Sequence, residues 1–107
     1  MSIGIQQDNC KESFIFTIKG SSMFPTFSDG ESVIFKKFRD STKITIGDVV
    51  VFPHPLKEDF MLIKRVKKLT VNDKVFVEGD NKDILSSEDS HNFGLINCNT
   101  IIAIRGN

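Results

Sequence analysis

Tryptophan and tyrosine are absent from the sequence, and its longest apolar runs, such as Val49–Phe52, contain four residues. A helix that crosses a bilayer needs about 20 apolar residues, so the sequence predicts no transmembrane segment. Met1–Glu12 also lacks the cationic start and apolar stretch of a secretory signal, which predicts a cytosolic protein. Composition alone leaves open a peripheral contact with a membrane surface.

A net charge of either sign is also missing, because 14 basic and 14 acidic side chains cancel. Proteins that bind nucleic acid usually present a basic patch. The one basic cluster, Lys64–Lys68, would be divided between the two faces of a strand. The sequence therefore predicts no nucleic-acid partner.

Cysteine is scarce: Cys10 and Cys98 stand alone, without the spacing of a zinc site. They could pair, since they lie near opposite ends of the domain, but two free thiols are the usual state in the cytosol. The acidic residues of the C-terminal third do not have the spacing of a calcium-binding loop. We therefore expect neither a metal nor a cofactor.

Long amphipathic helices are missing too, and short strands separated by turn residues take their place. A chain of this length predicts one domain, 13–107, preceded by a loosely held arm, 1–12. The pattern favours a mainly β fold, a compact antiparallel barrel or folded sheet with little helix. The predicted strands are Phe14–Lys19, Glu31–Phe38, Asp48–Phe52, Phe60–Leu69, Lys74–Glu78 and Thr100–Arg105.

Ser22 lies where the first predicted strand gives way to a loop, within Gly20-Ser21-Ser22-Met23-Phe24-Pro25-Thr26. Catalytic groups are commonly mounted at such edges, and Pro25 stiffens the backbone just after the hydroxyl. An ordinary polar loop would have the same composition. Ser22 is thus a candidate nucleophile.

Lys64 shares one face of its predicted strand with Phe60, Leu62 and Val66, whereas Arg65 and Lys67 would reach water on the other face. An amine held against apolar side chains loses solvation of its charged form, so its pKa falls and it becomes available as a base. The alternative is that the ammonium group extends past the core into solvent.

A tight polar corner is predicted at Gly79-Asp80-Asn81, where we expect Gly79 to permit a positive φ. The cluster Ser86–Asn92 follows, and its hydroxyl and carboxylate groups could orient a lysine amine. A solvated acidic loop is the alternative interpretation of this cluster.

These segments, together with Gly47–Phe52 and Ile63–Val66, resemble in order the sequence boxes of type I signal peptidases and their relatives. The resemblance extends from about Ile18 to the C-terminus. It implies a Ser/Lys dyad protease on the mainly antiparallel β fold that signal peptidases share with self-cleaving repressors.

Carried over by position, the resemblance implies that Ser22 is the nucleophile and that Lys64 is the general base. Ser87 would orient the lysine amine, and the N–H of Ser22 would contribute to the oxyanion hole. Residues that the resemblance implies hold the site together are Asp80, Asn81 and Asp89. Met23 and Pro25, next to the nucleophile, are expected to contact the substrate, which family members cut after small residues.

The sequence departs from the family at three points. Gly20 stands where many bacterial members have a serine that completes the oxyanion hole, and His91 replaces the usual arginine after Asp-Ser. The sequence also predicts no membrane anchor before the serine box. A minimal core of this kind resembles the maturation proteases of nickel superoxide dismutase, and predicts removal of a leader or propeptide from a specific protein.

Two other functions remain compatible with the sequence. A self-cleaving relative of the repressor and mutagenesis-protein group would share the serine and lysine boxes, but those proteins lack the Gly-Asp-Asn box. A non-catalytic β module could also retain the scaffold. A Ser/His/Asp triad through His54 or His91 is disfavoured, because neither histidine lies in a triad motif.

Overall fold

The computed structural model describes residues 4–7, 13–39, 42–83 and 88–106, with residues 4–7 described by their backbone alone. Eight strands form one sheet, in the order β1-β2-β3-β8-β4-β5-β6-β7, and every neighbouring pair is antiparallel. The strands are β1 (Gly4–Gln7), β2 (Ser13–Thr17), β3 (Ser32–Lys37), β4 (Val49–Pro53), β5 (Met61–Leu69), β6 (Lys74–Glu78), β7 (Ile96–Asn97) and β8 (Ala103–Arg105).

The sheet is folded rather than closed, since β1 and β7 stand at its two ends. This architecture confirms the predicted mainly antiparallel β fold. One short helix, α1 (Ser90–Phe93), and a 3₁₀ turn, Cys98–Thr100, are the helical elements of the described residues. Neither is long enough or apolar enough to cross a lipid bilayer.

Strand β4 lies between two hydrophobic clusters, and its side chains point alternately into one and the other. Val49 and Val51 point into the first cluster, and Val50 and Phe52 into the second, as expected for a strand buried on both faces. The first cluster comprises Phe16, Ile18, Met23, Phe27, Val33, Phe35, Val49, Val51, Ile63 and Ala103. The second comprises Val50, Phe52, Leu62, Val66, Val75, Val77, Ile96, Ile101 and Ile104.

The alternation predicted for β5 is confirmed, since Leu62 and Val66 lie in the second cluster and Ile63 lies in the first. One detail of that prediction is wrong. Arg65 does not reach water freely but forms an ion pair with Asp80, with 16% of its side chain exposed. Lys67 is exposed, as predicted.

The remaining differences from the predicted strands are at their ends. The first predicted strand ends at Thr17, and the last begins only at Ala103, because residues 98–100 form the 3₁₀ turn. Strand β1 lies within the segment predicted as an arm and pairs with β2. Strand β7 has only two residues, too few to produce a recognisable alternation.

Candidate active site

Ser22 lies in the loop between β2 and β3, and the base of this loop is held by two backbone hydrogen bonds. Ile18 N–H donates to Glu31 O and Gly30 N–H donates to Ile18 O, both over 2.8 Å. Met23 and Phe27 insert their side chains into the first cluster. An apolar anchor immediately after Ser22 therefore positions the serine at the end of the sheet.

The hydroxyl of Ser22 is buried, and no described residue forms a hydrogen bond with its Oγ. A buried hydroxyl without a partner is uncommon in proteins, since it loses its hydrogen bonds to water. Its lone pairs and proton are consequently available to another molecule that enters the site.

Lys64 lies on β5 opposite Val50 of β4 and is 2% exposed. Burial lowers the pKa of this amine, because a low-dielectric environment disfavours its charged form, while the charges of Asp89 and Glu88 act in the opposite direction. The alternative that the ammonium group extends into solvent is excluded by this burial.

Ser22 and Lys64 line the same pocket, which has a volume of about 250 Å³. The pocket is thus formed by residues that lie far apart in the chain, from the β2–β3 loop, from β5, from the end of β6 and from the segments that follow β6. The other lining residues are Glu78, Gly79, Asn81, Lys82, Asp89 and His91.

Gly79 forms the part of the pocket that lies against the Ser22 backbone and the Lys64 amine. A Cβ atom at this position would be 2.7 Å from the carbonyl oxygen of Ser22 and 3.5 Å from Lys64 Nζ. The expectation of a positive φ at Gly79 is wrong, because its φ lies outside that region. Close approach of the Ser22 backbone, rather than chain reversal, requires glycine here.

Asn81 holds the backbone of the serine loop. Its backbone N–H donates to Ser22 O and its side-chain Nδ2 donates to Ser21 O, each over 2.9 Å. These two hydrogen bonds join the corner after β6 to the peptide groups on either side of the Ser22 Cα atom.

Asp80 connects three parts of the site. Its carboxylate accepts two hydrogen bonds of 2.8 Å from Arg65 on β5, and it accepts another from the Thr26 hydroxyl in the serine loop. Burial alone would raise the pKa of Asp80, but the Arg65 and Thr26 hydrogen bonds and the nearby positive charges hold it below its ordinary value. The sequence pattern did not identify Thr26 or Arg65 as partners.

Asp89 is 1% exposed and caps α1, where its Oδ1 accepts the backbone N–H of His91. The ring Nδ1 of His91 is 3.1 Å from the same oxygen, and the Ser90 hydroxyl accepts the N–H of Val77 in β6. Asp89 therefore keeps a basic neighbour although histidine replaces arginine. Ser87, the predicted orienting serine, lies outside the described residues.

The family described as signal peptidase, peptidase S26, matches residues 12–70. This chain belongs to the peptidase S26 family. The match contains Ser22 and Lys64 but ends before Gly79, and it supports a signal-peptidase-like serine peptidase that acts on protein. No curated protein matches the chain.

Neither histidine of this S26 chain forms a hydrogen bond with the Ser22 hydroxyl. His54 does not line the pocket, and the Nε2 of His91 lies 3.5 Å from Glu78 Oε1. No group of three or more histidine, cysteine or acidic side chains within the described ranges could hold a metal ion.

Donors for an oxyanion are sparse in this S26 chain. Within the described residues, the N–H of Ser22 donates to no acceptor, and Gly20 offers no side chain. Gly20 instead has a φ of 91°, and its N–H donates to Asp29 over 2.7 Å. The glycine therefore permits the backbone reversal that leads to Ser22.

The remaining predicted residues have different surroundings. Met23 is fully buried in the first cluster, so its side chain has no surface with which to contact a substrate in this structure. Pro25 is exposed, and so is the neighbouring Phe24, at 51%. Cys98 has a free thiol, whereas Cys10 lies outside the described residues.

Proposed function

We propose that this S26 chain is a serine endopeptidase with Ser22 as nucleophile and Lys64 as general base. The observation that supports it is the shared pocket, which is lined by a buried lysine with a lowered pKa and by a serine whose hydroxyl forms no hydrogen bond with a described residue. A serine without a histidine needs such a base, because an unassisted hydroxyl is a weak nucleophile.

In the proposed reaction, Ser22 Oγ attacks the carbonyl carbon of the scissile peptide bond while the neutral Lys64 amine accepts the hydroxyl proton. The tetrahedral intermediate then collapses, and Lys64 returns that proton to the leaving amine. Water, deprotonated by Lys64, hydrolyses the resulting ester and restores Ser22. The N–H of Ser22 is the proposed oxyanion donor, and one such donor is typically worth about 3 kcal/mol.

Three residues around the dyad have positioning roles in this proposal. Asn81 holds the Ser22 backbone, Asp80 joins the serine loop to β5, and Asp89 places a negative charge near Lys64. A role for Ser87 in orienting the amine stays a prediction from the resemblance.

The proposed substrate is a leader or propeptide of a specific cytosolic protein, cut after a small residue, as in the nickel superoxide dismutase maturation proteases that the sequence resembles. The size of the pocket supports cleavage after a small residue. Its volume of about 250 Å³ is below the usual range for pockets that hold drug-sized ligands, roughly 300–1,000 Å³. In the same proposal, residues 13–107 form the peptidase domain and residues 1–12 form an arm.

The test is to incubate the purified protein with an Ala-x-Ala leader peptide and with denatured host proteins, and to identify new N-termini by mass spectrometry. Ser22→Ala and Lys64→Ala should both abolish the new termini. Ser28→Ala, an exposed serine of the same loop, is the matched control and should cleave normally.

The two alternative functions give different results in the same experiment. A self-cleaving relative would produce a new terminus in its own chain that depends on Ser22 and Lys64. A non-catalytic module would produce no terminus in any sample. Termini that persist in the Ser22→Ala variant would contradict the proposal.

A further inference from the structure

The pocket that contains the proposed dyad has no aliphatic, aromatic or methionine residue among those that line it. Met23, the apolar residue next to Ser22, is fully buried in the first cluster and does not contribute to the lining. Most ligand pockets are lined mainly by apolar side chains with a few polar groups among them. A substrate side chain that enters this pocket therefore meets polar groups, and those groups lose hydrogen bonds to water unless the side chain replaces them.

Two of the polar side chains that line the pocket are occupied by contacts within the protein. Asn81 uses both ends of its amide, because Nδ2 donates to Ser21 O and Oδ1 accepts the N–H of Asp83, each over 2.9 Å. Asp89 is 1% exposed, and its Oδ1 accepts the N–H of His91. Asn81 and Asp89 thus hold the pocket in shape.

Glu78 differs from these two residues, because no described residue donates a hydrogen bond to its carboxylate. Oε1 lies 3.5 Å from His91 Nε2, and Oε2 lies 4.0 Å from Lys67 Nζ. Both distances exceed that of an ordinary hydrogen bond. The side chain is 29% exposed, and an ionised carboxylate is an acceptor only. A hydrogen-bond donor that enters the pocket can therefore reach Glu78.

The backbone on either side of Glu78 is fixed. The N–H of Val77 donates to the Ser90 hydroxyl over 2.8 Å. Gly79 lies so close to the serine loop that a Cβ atom there would be 2.7 Å from Ser22 O. Glu78 is therefore held at the end of β6, next to the residue that touches the Ser22 backbone. A side chain on a rigid element is well suited to select a substrate.

The substrate residue before the scissile bond is the one whose side chain this pocket would receive. In the proposed reaction, Ser22 Oγ attacks the carbonyl carbon of that residue. Its side chain branches from the atom bonded to that carbon, so it lies beside the nucleophile during the attack. The pocket that Ser22 and Glu78 both line is thus the place for this side chain.

We propose that Glu78 selects a substrate with a small, hydrogen-bond-donating side chain, such as serine, immediately before the scissile bond. The substrate hydroxyl donates to the Glu78 carboxylate. A substrate aspartate is disfavoured, because its charge would share the pocket with the carboxylates of Glu78 and Asp89. This inference rests on the proposed peptidase function and adds the class of substrate to it.

The test compares leader peptides in matched pairs that differ at the residue before the scissile bond. Ala-x-Ser is compared with Ala-x-Ala, and Ala-x-Thr with Ala-x-Val, because each pair differs mainly in a hydroxyl group. The serine peptide should have a kcat/KM at least about tenfold above that of the alanine peptide, as expected for a hydrogen bond to a charged group. Ala-x-Asp should be cleaved more slowly than Ala-x-Asn.

Glu78→Met retains the length of the side chain but removes the acceptor, so the ratio of kcat/KM for serine over alanine should fall to about one. Glu78→Gln retains an acceptor oxygen and should keep a weaker preference. The ratio compares two peptides on one protein sample, so a general loss of activity or of folded protein cancels. Glu58→Met, at an exposed glutamate outside the pocket lining, is the control and should keep the natural ratio.

A second measurement requires no turnover. The Ser22→Ala variant leaves peptides intact, so their dissociation constants can be obtained by fluorescence anisotropy. It should bind the serine peptide at least about fivefold more tightly than the alanine peptide. Adding Glu78→Met to this variant should abolish the difference.

Equal cleavage of the serine and alanine peptides, or a preference that survives in Glu78→Met, would overturn this inference. Preferred cleavage after aspartate would do so too and would assign the selection to the ammonium group of Lys82. If no peptide is cleaved, the binding measurement decides. Binding in the expected order would then refute the proposed function and keep this inference, whereas equal or absent binding would overturn both.

Discussion

A Cβ atom on Gly79 would lie 2.7 Å from the carbonyl oxygen of Ser22, closer than real Cβ contacts occur. The same atom would be 3.5 Å from Lys64 Nζ. The end of β6 and the serine loop are therefore in direct backbone contact, and this contact brings the serine towards the lysine.

Gly79→Ala should reduce peptidase activity at least about a hundredfold, since a displacement of about 1 Å in a catalytic group has an effect of that size. The added methyl group must push Ser22 away from the corner. Cleavage of the leader peptide measures the loss. Gly106→Ala is the control, because a Cβ there meets no atom within 4 Å. Full activity in Gly79→Ala would contradict this prediction, because cleavage would then not depend on the close approach of Gly79 to Ser22.

Activity should increase with pH through the titration of Lys64, because only the neutral amine accepts the serine proton. The midpoint should lie below the ordinary lysine value of 10.5, because burial lowers the Lys64 pKa. The dependence of kcat/KM on pH measures it. Lys64→Arg should be inactive at every pH, since guanidinium stays charged. Lys74→Arg, an exposed lysine on β6, should keep the natural profile.

Lys64→Met should stabilise the protein at neutral pH, because burial of the charged amine has a cost that exceeds the attraction of Asp89 and Glu88. The folded-state pKa is below the unfolded one, so the unfolded chain binds more protons between the two values. The destabilisation is complete below the folded pKa and disappears as pH approaches 10.5. Urea unfolding at pH 7 and at pH 10 tests this, and a gain that grows with pH would contradict it.

Asp80→Asn should lower the free energy of unfolding at pH 7 by about 2 kcal/mol, because the Arg65 guanidinium loses its charged partner. The folded-state pKa of Asp80 is below its ordinary value of 3.8, so its stabilisation is present above that value and is lost as pH falls through the folded pKa. Denaturant unfolding at pH 7 and at acid pH measures both effects. Asp83→Asn, an exposed aspartate in the same corner, should change neither.

Much of the fold could be predicted from alternation. The two-faced burial of Val49–Phe52 and the opposite faces of Leu62 and Ile63 follow from a side-chain period of two residues. Elements too short to show a repeating pattern of apolar residues were not predicted. Among them are the two-residue β7 and the single turn of α1.

The candidate site, like the fold, could be predicted only in part from the sequence. The motif around Ser22 and the apolar neighbours of Lys64 mark both residues in the sequence alone. The pairing of Asp80 with Arg65 and with Thr26 could not be derived, because these two residues lie 15 and 54 positions from Asp80 and no local pattern joins them.

The sequence by itself determined which side chains are hydrophobic, where strands alternate and which loop carries the serine, because these are local properties of neighbouring residues. Only the tertiary structure decided that Ser22 and Lys64 share a pocket and that Gly79 is needed for close approach. Those relationships depend on the strand order and on the pairing of distant segments, which arise from burial of the whole chain rather than from any one stretch of it.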